Sequence, residues 1–143
     1  EILKNDYNIS VNIWSVTSYK NLIFDAQDAE RENIRNGKNN IPYITECLKN
    51  EKGPVIAVSD YMKLMPGVLA KWIPEGLVSL GTDGYGRSDD RPALRKHFEV
   101  DANSITWTVL VSLESKGKFG KDELLKARKD LGIDLDKPNP VGE

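Results

Sequence analysis

The stretch Leu80–Arg91, LGTDGYGRSDDR, packs three glycines, two aliphatic hydroxyls, three carboxylates and two guanidinium groups into twelve residues behind a short apolar run. Backbone amides at Gly84, Tyr85 and Gly86, followed by the start of a helix, suit a small anion such as phosphate. The spacing is neither the GxxxxGK[ST] of a P-loop nor the GxGxxG of a dinucleotide fingerprint. The alternative reading is architectural. Glycines at 81, 84 and 86 then supply positive φ or close backbone approach, Asp83 and Asp89 hydrogen-bond within the loop, and Arg87 pairs with an acid or an adjoining subunit. Thr82 and Ser88 complete this set of binding-loop or interface candidates. Two further candidates lie at Asp60 and Lys63, in SDYMK (59–63), where the side chains can cap or pair locally or contact a substrate. The single histidine, His97, is of a residue type that titrates near neutrality and suits acid–base work. It shares a helix face with Leu94 and Phe98, however, which predicts a packed or interfacial ring.

Elements of alternating type must position these groups. Val11–Val16 (VNIWSV) and Pro54–Val58 (PVIAV) read as strands, and Leu77–Leu80 as a third. PVIAV has no polar alternation, as expected for a strand covered on both faces. Tyr19, Leu22, Ile23, Ala26 and Ala29 recur at helical spacing; Asn36–Asn40 breaks that pattern, and Pro42 opens a short helix through Leu48. A helical stripe from Tyr61 through Trp72 ends at Pro74 and Gly76, and Pro92 suits the first turn of the next helix. Ile105–Leu113 (ITWTVLVSL) has the composition of a strand but the entrance of a helix, with Asp101 as N-cap and Val100 and Ile105 placed for a hydrophobic staple; a helix is expected. A last helix spans Lys121 to Leu131, stopped by Gly132, and the tail through Pro138 and Pro140 reads as extended. Alternating strands and helices imply a mostly parallel α/β sheet with flanking helices. Ligands and partners meet such sheets at the carboxyl ends of their strands, so Thr17–Lys20, Ser59–Lys63 and the loop from Gly81 are expected to converge on one edge.

Composition bounds the partners. The 143 residues carry 39% apolar and 29% charged side chains, room for a single domain (1–143) with its own core. Twenty basic and 22 acidic groups are mixed along the chain to a net −2, with no basic stripe for nucleic acid or an anionic membrane. No apolar run approaches a membrane span and no signal peptide is visible, which points to a soluble, cytoplasmic protein. Cys47, the only cysteine, excludes an internal disulfide and a cysteine-cluster metal site, and is expected as a small buried side chain. Trp14, Trp72 and Trp107 are expected as core aromatics. Glu1–Lys4 reads as the last turn of a helix begun elsewhere and stopped at Asn5–Tyr7, the mark of a fragment of something larger.

Three ordered motifs then carry a resemblance: SDYMK (59–63), LGTDGYGRSD (80–89) and HFEVDA (97–102), supported by IWSVTSYKNLIFDAQDAER near the N-terminus. Together they resemble the C-terminal domain of the homodimeric, bacterial-type pyruvate dehydrogenase decarboxylase component, within the transketolase-like group. The resemblance implies a parent enzyme that decarboxylates pyruvate with thiamine diphosphate and a divalent ion, usually Mg2+, and acetylates the lipoyl group of the dihydrolipoyl acetyltransferase component. It also implies that the cofactor sits in preceding domains at a homodimer interface. This domain then holds no catalytic or cofactor-binding residue of its own and serves assembly, as a sheet of four parallel strands and one antiparallel whose opening strand is missing here. The competing reading is a regulatory or phosphate-binding module built on the Gly84–Arg87 loop.

Overall fold

Local capping sets most element boundaries in the computed structural model, which describes residues 1–142. Helix α1 (Ile2–Tyr7) ends at Asn8, which takes the left-handed conformation with φ 52°. Ser18 opens α2 (Tyr19–Asn36) by accepting a hydrogen bond from Asn21 N, and Gly37 closes it at φ 61°. Pro42 leads into α3 (Tyr43–Leu48). Strand β1 (Val55–Val58) is followed by the single turn α4 (Leu64–Gly67), which tightens into a 3₁₀ stretch over Val68–Trp72. Strand β2 (Leu77–Leu80) then pairs with β1 in parallel, Val55 opposite Leu77 and Val58 opposite Leu80.

Asp90 caps α5 (Arg91–His97) through Ala93 N at 2.8 Å, with Pro92 in the first turn, where its missing N–H is not needed. Asp101 caps α6 (Ala102–Ser115), accepting from Asn103 N at 2.9 Å and Ser104 N at 3.2 Å. Capping thus overrides the β-branched composition of Ile105–Leu113. Helix α7 (Lys121–Asp130) begins where Glu123 accepts from Gly120 N, and its end is followed by Gly132 at φ 65°.

Two apolar clusters support this framework. Ile23, Leu48, Leu69 and Ile73 form the first, between α2, α3 and the 3₁₀ stretch, with Tyr19, Trp72, Val55 and Leu77 packed against it. Leu110, Ala127 and Leu131 form the second, where α6 meets α7, joined by Trp107, Phe119 and the α1 side chains Ile2, Leu3 and Tyr7. Leu110 and Ala127 are fully shielded, and burial of a leucine of this kind stabilises by about 1.5–3 kcal/mol.

Several expectations need correction. Val11–Val16 forms no strand: the sheet among the described residues contains β1 and β2 alone. β-propensity reports the fit of side chains to a pleated, half-covered surface, and this segment has no neighbour to supply one. Its side chains are accordingly exposed, Ile13 at 90% and Trp14 at 56%, so Trp14 is not a core aromatic whereas Trp72 and Trp107 pack on the two clusters. The Tyr61–Trp72 stripe starts helical structure only at Leu64, and Tyr61 and Leu64 are exposed. Cys47 is half-buried at the margin of the first cluster rather than enclosed. The first helix continues through Tyr7 instead of stopping at Asn5, and the tail ends in a 3₁₀ turn over Pro140–Gly142.

Candidate functional site: a locked loop junction and an open cleft

Because β1 and β2 run parallel, their carboxyl ends, Val58 and Leu80, deliver the two following loops side by side. The ladder continues one step beyond the strands, Ser59 N donating to Leu80 O at 3.0 Å. Tyr61 N then donates to Ser59 Oγ at 3.0 Å, which turns the chain. Thr82 ties the two loops twice, its N donating to Tyr61 O at 3.0 Å and its Oγ1 to Asp60 O at 2.9 Å. Asp83 adds a third tie by accepting from Lys63 N at 2.9 Å, while its second oxygen lies 3.8 Å from Lys63 Nζ.

This closeness accounts for two of the glycines. A Cβ on Gly81 would stand 2.3 Å from Tyr61 O and 3.0 Å from Lys63 N, both backbone atoms. Gly84 combines φ 103° with a Cβ position 2.6 Å from Pro140 O, so the C-terminal tail closes on the loop there. Gly86 has neither constraint: its surroundings are open and its φ is ordinary. Positive φ or close approach therefore holds for Gly84 and Gly81 but not for the third glycine.

Beyond Gly84 the loop leaves the junction. Tyr85 is exposed at 81%. Arg87 Nη1 approaches the ring nitrogens of His97 at 3.3 and 3.4 Å, and His97 meets Phe98 edge-on with ring centroids 4.7 Å apart. A guanidinium has only donors, so the ring nitrogen bonded to it acts as acceptor. His97 is thus partly packed and engaged, as its helix face implied. Asp89 accepts from Asp90 N within the loop at 2.8 Å. Ser88 is exposed on the same segment.

The loops, α5 and the start of α6 enclose an open cleft of about 950 Å³. Asp60, Thr82, Gly84, Tyr85, Gly86 and Arg87 line it, together with Arg91 and Arg95 from α5. Lys63, Asp83 and His97 stand behind its walls, and Gly81 lies buried beneath them. Of the three loops expected to converge, Thr17–Lys20 does not take part. It follows no strand, and Ser18 instead caps α2.

Sequence reading also missed Lys137, whose Nζ donates to Lys96 O and His97 O at 2.7 Å each and pairs with Glu99 at 3.4 Å. A lysine at the carboxyl end of a helix is favourable electrostatically, but one arriving from forty residues away leaves no periodic signal. Arg91 and Arg95, at i and i+4 on α5, were missed as well.

A family sequence profile described as "Transketolase-like TK C-terminal domain" matches residues 1–101. The chain belongs to this transketolase-like C-terminal domain family. Beyond the profile, similarity extends to pyruvate dehydrogenase E1 components: 40% identity over 144 residues with that of Pseudomonas aeruginosa, covering 99% of this chain and 16% of the relative. The Escherichia coli K12 protein is 39% identical over 143 residues (98% and 16%), and that of Mycobacterium tuberculosis 38% over 136 (94% and 15%). The chain therefore spans about a sixth of the length of these relatives. The α/β class with flanking helices agrees with the family, although the sheet among the described residues has two strands where the resemblance implied four in this chain.

Among the described residues no three His, Cys, Asp or Glu side chains are grouped to hold a metal ion. No helix among them is long and apolar enough to cross a membrane.

Proposed function

We propose that this chain is a single transketolase-like C-terminal domain within a larger subunit, the decarboxylase component of a pyruvate dehydrogenase complex. The whole subunit would decarboxylate pyruvate with thiamine diphosphate and Mg2+ and acetylate the lipoyl group of a dihydrolipoyl acetyltransferase, in the cytoplasm and as a homodimer. The domain's part is assembly. The observation that carries the reading is similarity along 94–99% of this chain to 15–16% of each relative. A physical reason for assembly lies in the apolar side chains left uncovered at Ile13, Trp14, Tyr61, Leu64 and Tyr85. Lone exposed apolar residues are ordinary, but Ile13 and Trp14 belong to a β-rich run with no ladder partner.

Under this reading Asp60, Lys63 and the residues from Gly81 to Ser88 act as a joint that fixes the edge of the domain, and His97 buttresses it. Pyruvate decarboxylation by the purified 143-residue chain, supplied with thiamine diphosphate and Mg2+, is the direct test. None is expected, and turnover at the rate of the full subunit would refute the domain's accessory role.

A second reading draws support from the loop's position at the rim of the cleft: a regulatory or phosphate-binding module using the amides of Gly84–Arg87. Gly86 has open surroundings, so Gly86→Val perturbs the amide path without a clash. Phosphate uptake abolished by that change, with folding intact, would favour this second reading.

A further inference from the structure

Apart from the loop amides, the cleft contains a different set of groups. Arg91 and Arg95 stand one turn apart on α5 and both line it. Neither has an ion-pair or hydrogen-bond partner for its guanidinium among the described residues. Arg87, fixed against His97, contributes a third guanidinium from the facing loop. Behind these charges the wall is apolar, made by Leu94, Phe98, Val100 and Ile105. Asp60 and Asp89 also border the cleft and oppose the arginines, so its charged lining among the described residues is three cations, one of them the already engaged Arg87, against two anions.

That combination selects a ligand class. Two unpaired guanidinium groups at adjacent turns match the two charges of a phosphate ester or a dicarboxylate, and arginine's fork of donors favours bidentate binding of such oxygens. A bare inorganic ion would leave the apolar wall wet, and about 950 Å³ is the size of a site for an organic molecule. The carboxyl ends of parallel strands are also where α/β sheets bind ligands.

We propose that the cleft binds an organic dianion with an apolar body, its charged end held by Arg91 and Arg95 and its body laid on Phe98 and Ile105. This site goes beyond the assembly role and does not depend on it, nor on the amides of Gly84–Arg87. Bound there, the ligand bridges α5, the glycine loop and the start of α6, so occupancy stabilises the arrangement of these three elements.

Calorimetric titration of the full subunit at low ionic strength tests the proposal, with phenyl phosphate as probe and inorganic phosphate and phenol as its two halves. Saturable binding of phenyl phosphate is expected, at least about tenfold tighter than either half. The double variant R91Q/R95Q should weaken it by about tenfold or more while keeping the same melting temperature without ligand. Asp89→Asn, which removes an opposing charge but keeps an acceptor for Asp90 N, should tighten it by about twofold to threefold. Gly86→Val should leave it unchanged, which separates this site from the loop-amide reading. No saturable uptake, equal affinity for inorganic phosphate, or binding that survives R91Q/R95Q would each overturn the proposal, and none of these results bears on whether the subunit decarboxylates pyruvate.

Discussion

The loop junction at Ser59–Asp83 and the irregular segment Ser10–Thr17 represent opposite ways of leaving a regular element. In the junction, polar and small residues are held by hydrogen bonds from Thr82, Asp83 and Ser59, and a buried glycine separates the two backbones. In the segment, side chains of strand type stand in solvent; its one side-chain hydrogen-bonded tie among the described residues is Asn12 Nδ2 to the Glu51 carboxylate at 3.0–3.1 Å. Polar composition accompanies order in one region, and apolar composition accompanies exposure in the other. The lesson is that hydrogen-bond closure, rather than hydrophobicity, decides which backbone is fixed at this edge. An apolar run needs a partner surface before its burial contributes anything.

Substitutions can break or sharpen that contrast. The largest effect is expected at Gly81→Ala, whose methyl would meet Tyr61 O at 2.3 Å: a loss of about 3 kcal/mol or more, read as a lower urea midpoint with the slope preserved. A stability change below about 1 kcal/mol would mean that the two loops can part freely. Gly84→Ala comes next, at about 2 kcal/mol by the same measurement, since φ 103° and Pro140 O both disfavour a side chain.

These positions also show what sequence makes legible. A glycine forced by close approach looks, on paper, like one that is free, so LGTDGYGRSD could not distinguish Gly81 from Gly86. The same applies to partners: Asp83 was expected to hydrogen-bond within its own loop, but its donor, Lys63 N, comes from the neighbouring loop twenty residues earlier. The start of α6 was readable because the cap Asp101 and the first turn are adjacent in sequence, whereas the caps at Ser18 and Asp90 were missed. Strand pairing is not local, and VNIWSV carries the propensity of a strand without the information that its neighbour is absent. The arginine cleft was invisible for the same reason, since α5 and the glycine loop close it only through the fold.

Smaller effects follow. Asp83→Ala strips the acceptor from Lys63 N in a half-buried setting and should cost about 1–2 kcal/mol, again by urea unfolding. Restoring most of that loss with Asp83→Asn would show that the hydrogen bond, and not the 3.8 Å ion pair, holds the loops. Smallest of all is Ile13→Ser, expected within about 0.5 kcal/mol of the parent in the isolated chain because Ile13 is 90% exposed. The same change in the full subunit should lower its melting temperature if assembly covers the segment; an equally small effect in both settings would contradict that coverage.

Between Ile9, whose N–H reaches Leu3 O, and the first hydrogen bond of α2 at Leu22, no backbone–backbone bond is made by residues 10–17 among those described. A protease needs several consecutive residues free of any ladder, and this segment supplies them around an exposed aromatic, Trp14. In the isolated chain, cleavage there is expected not to release α1 at once, because Ile2, Leu3 and Tyr7 remain packed on the α6–α7 cluster. A nick in the isolated chain is therefore expected to stay hidden: the severed helix remains bound by its apolar face, and the cut becomes apparent only when that contact opens.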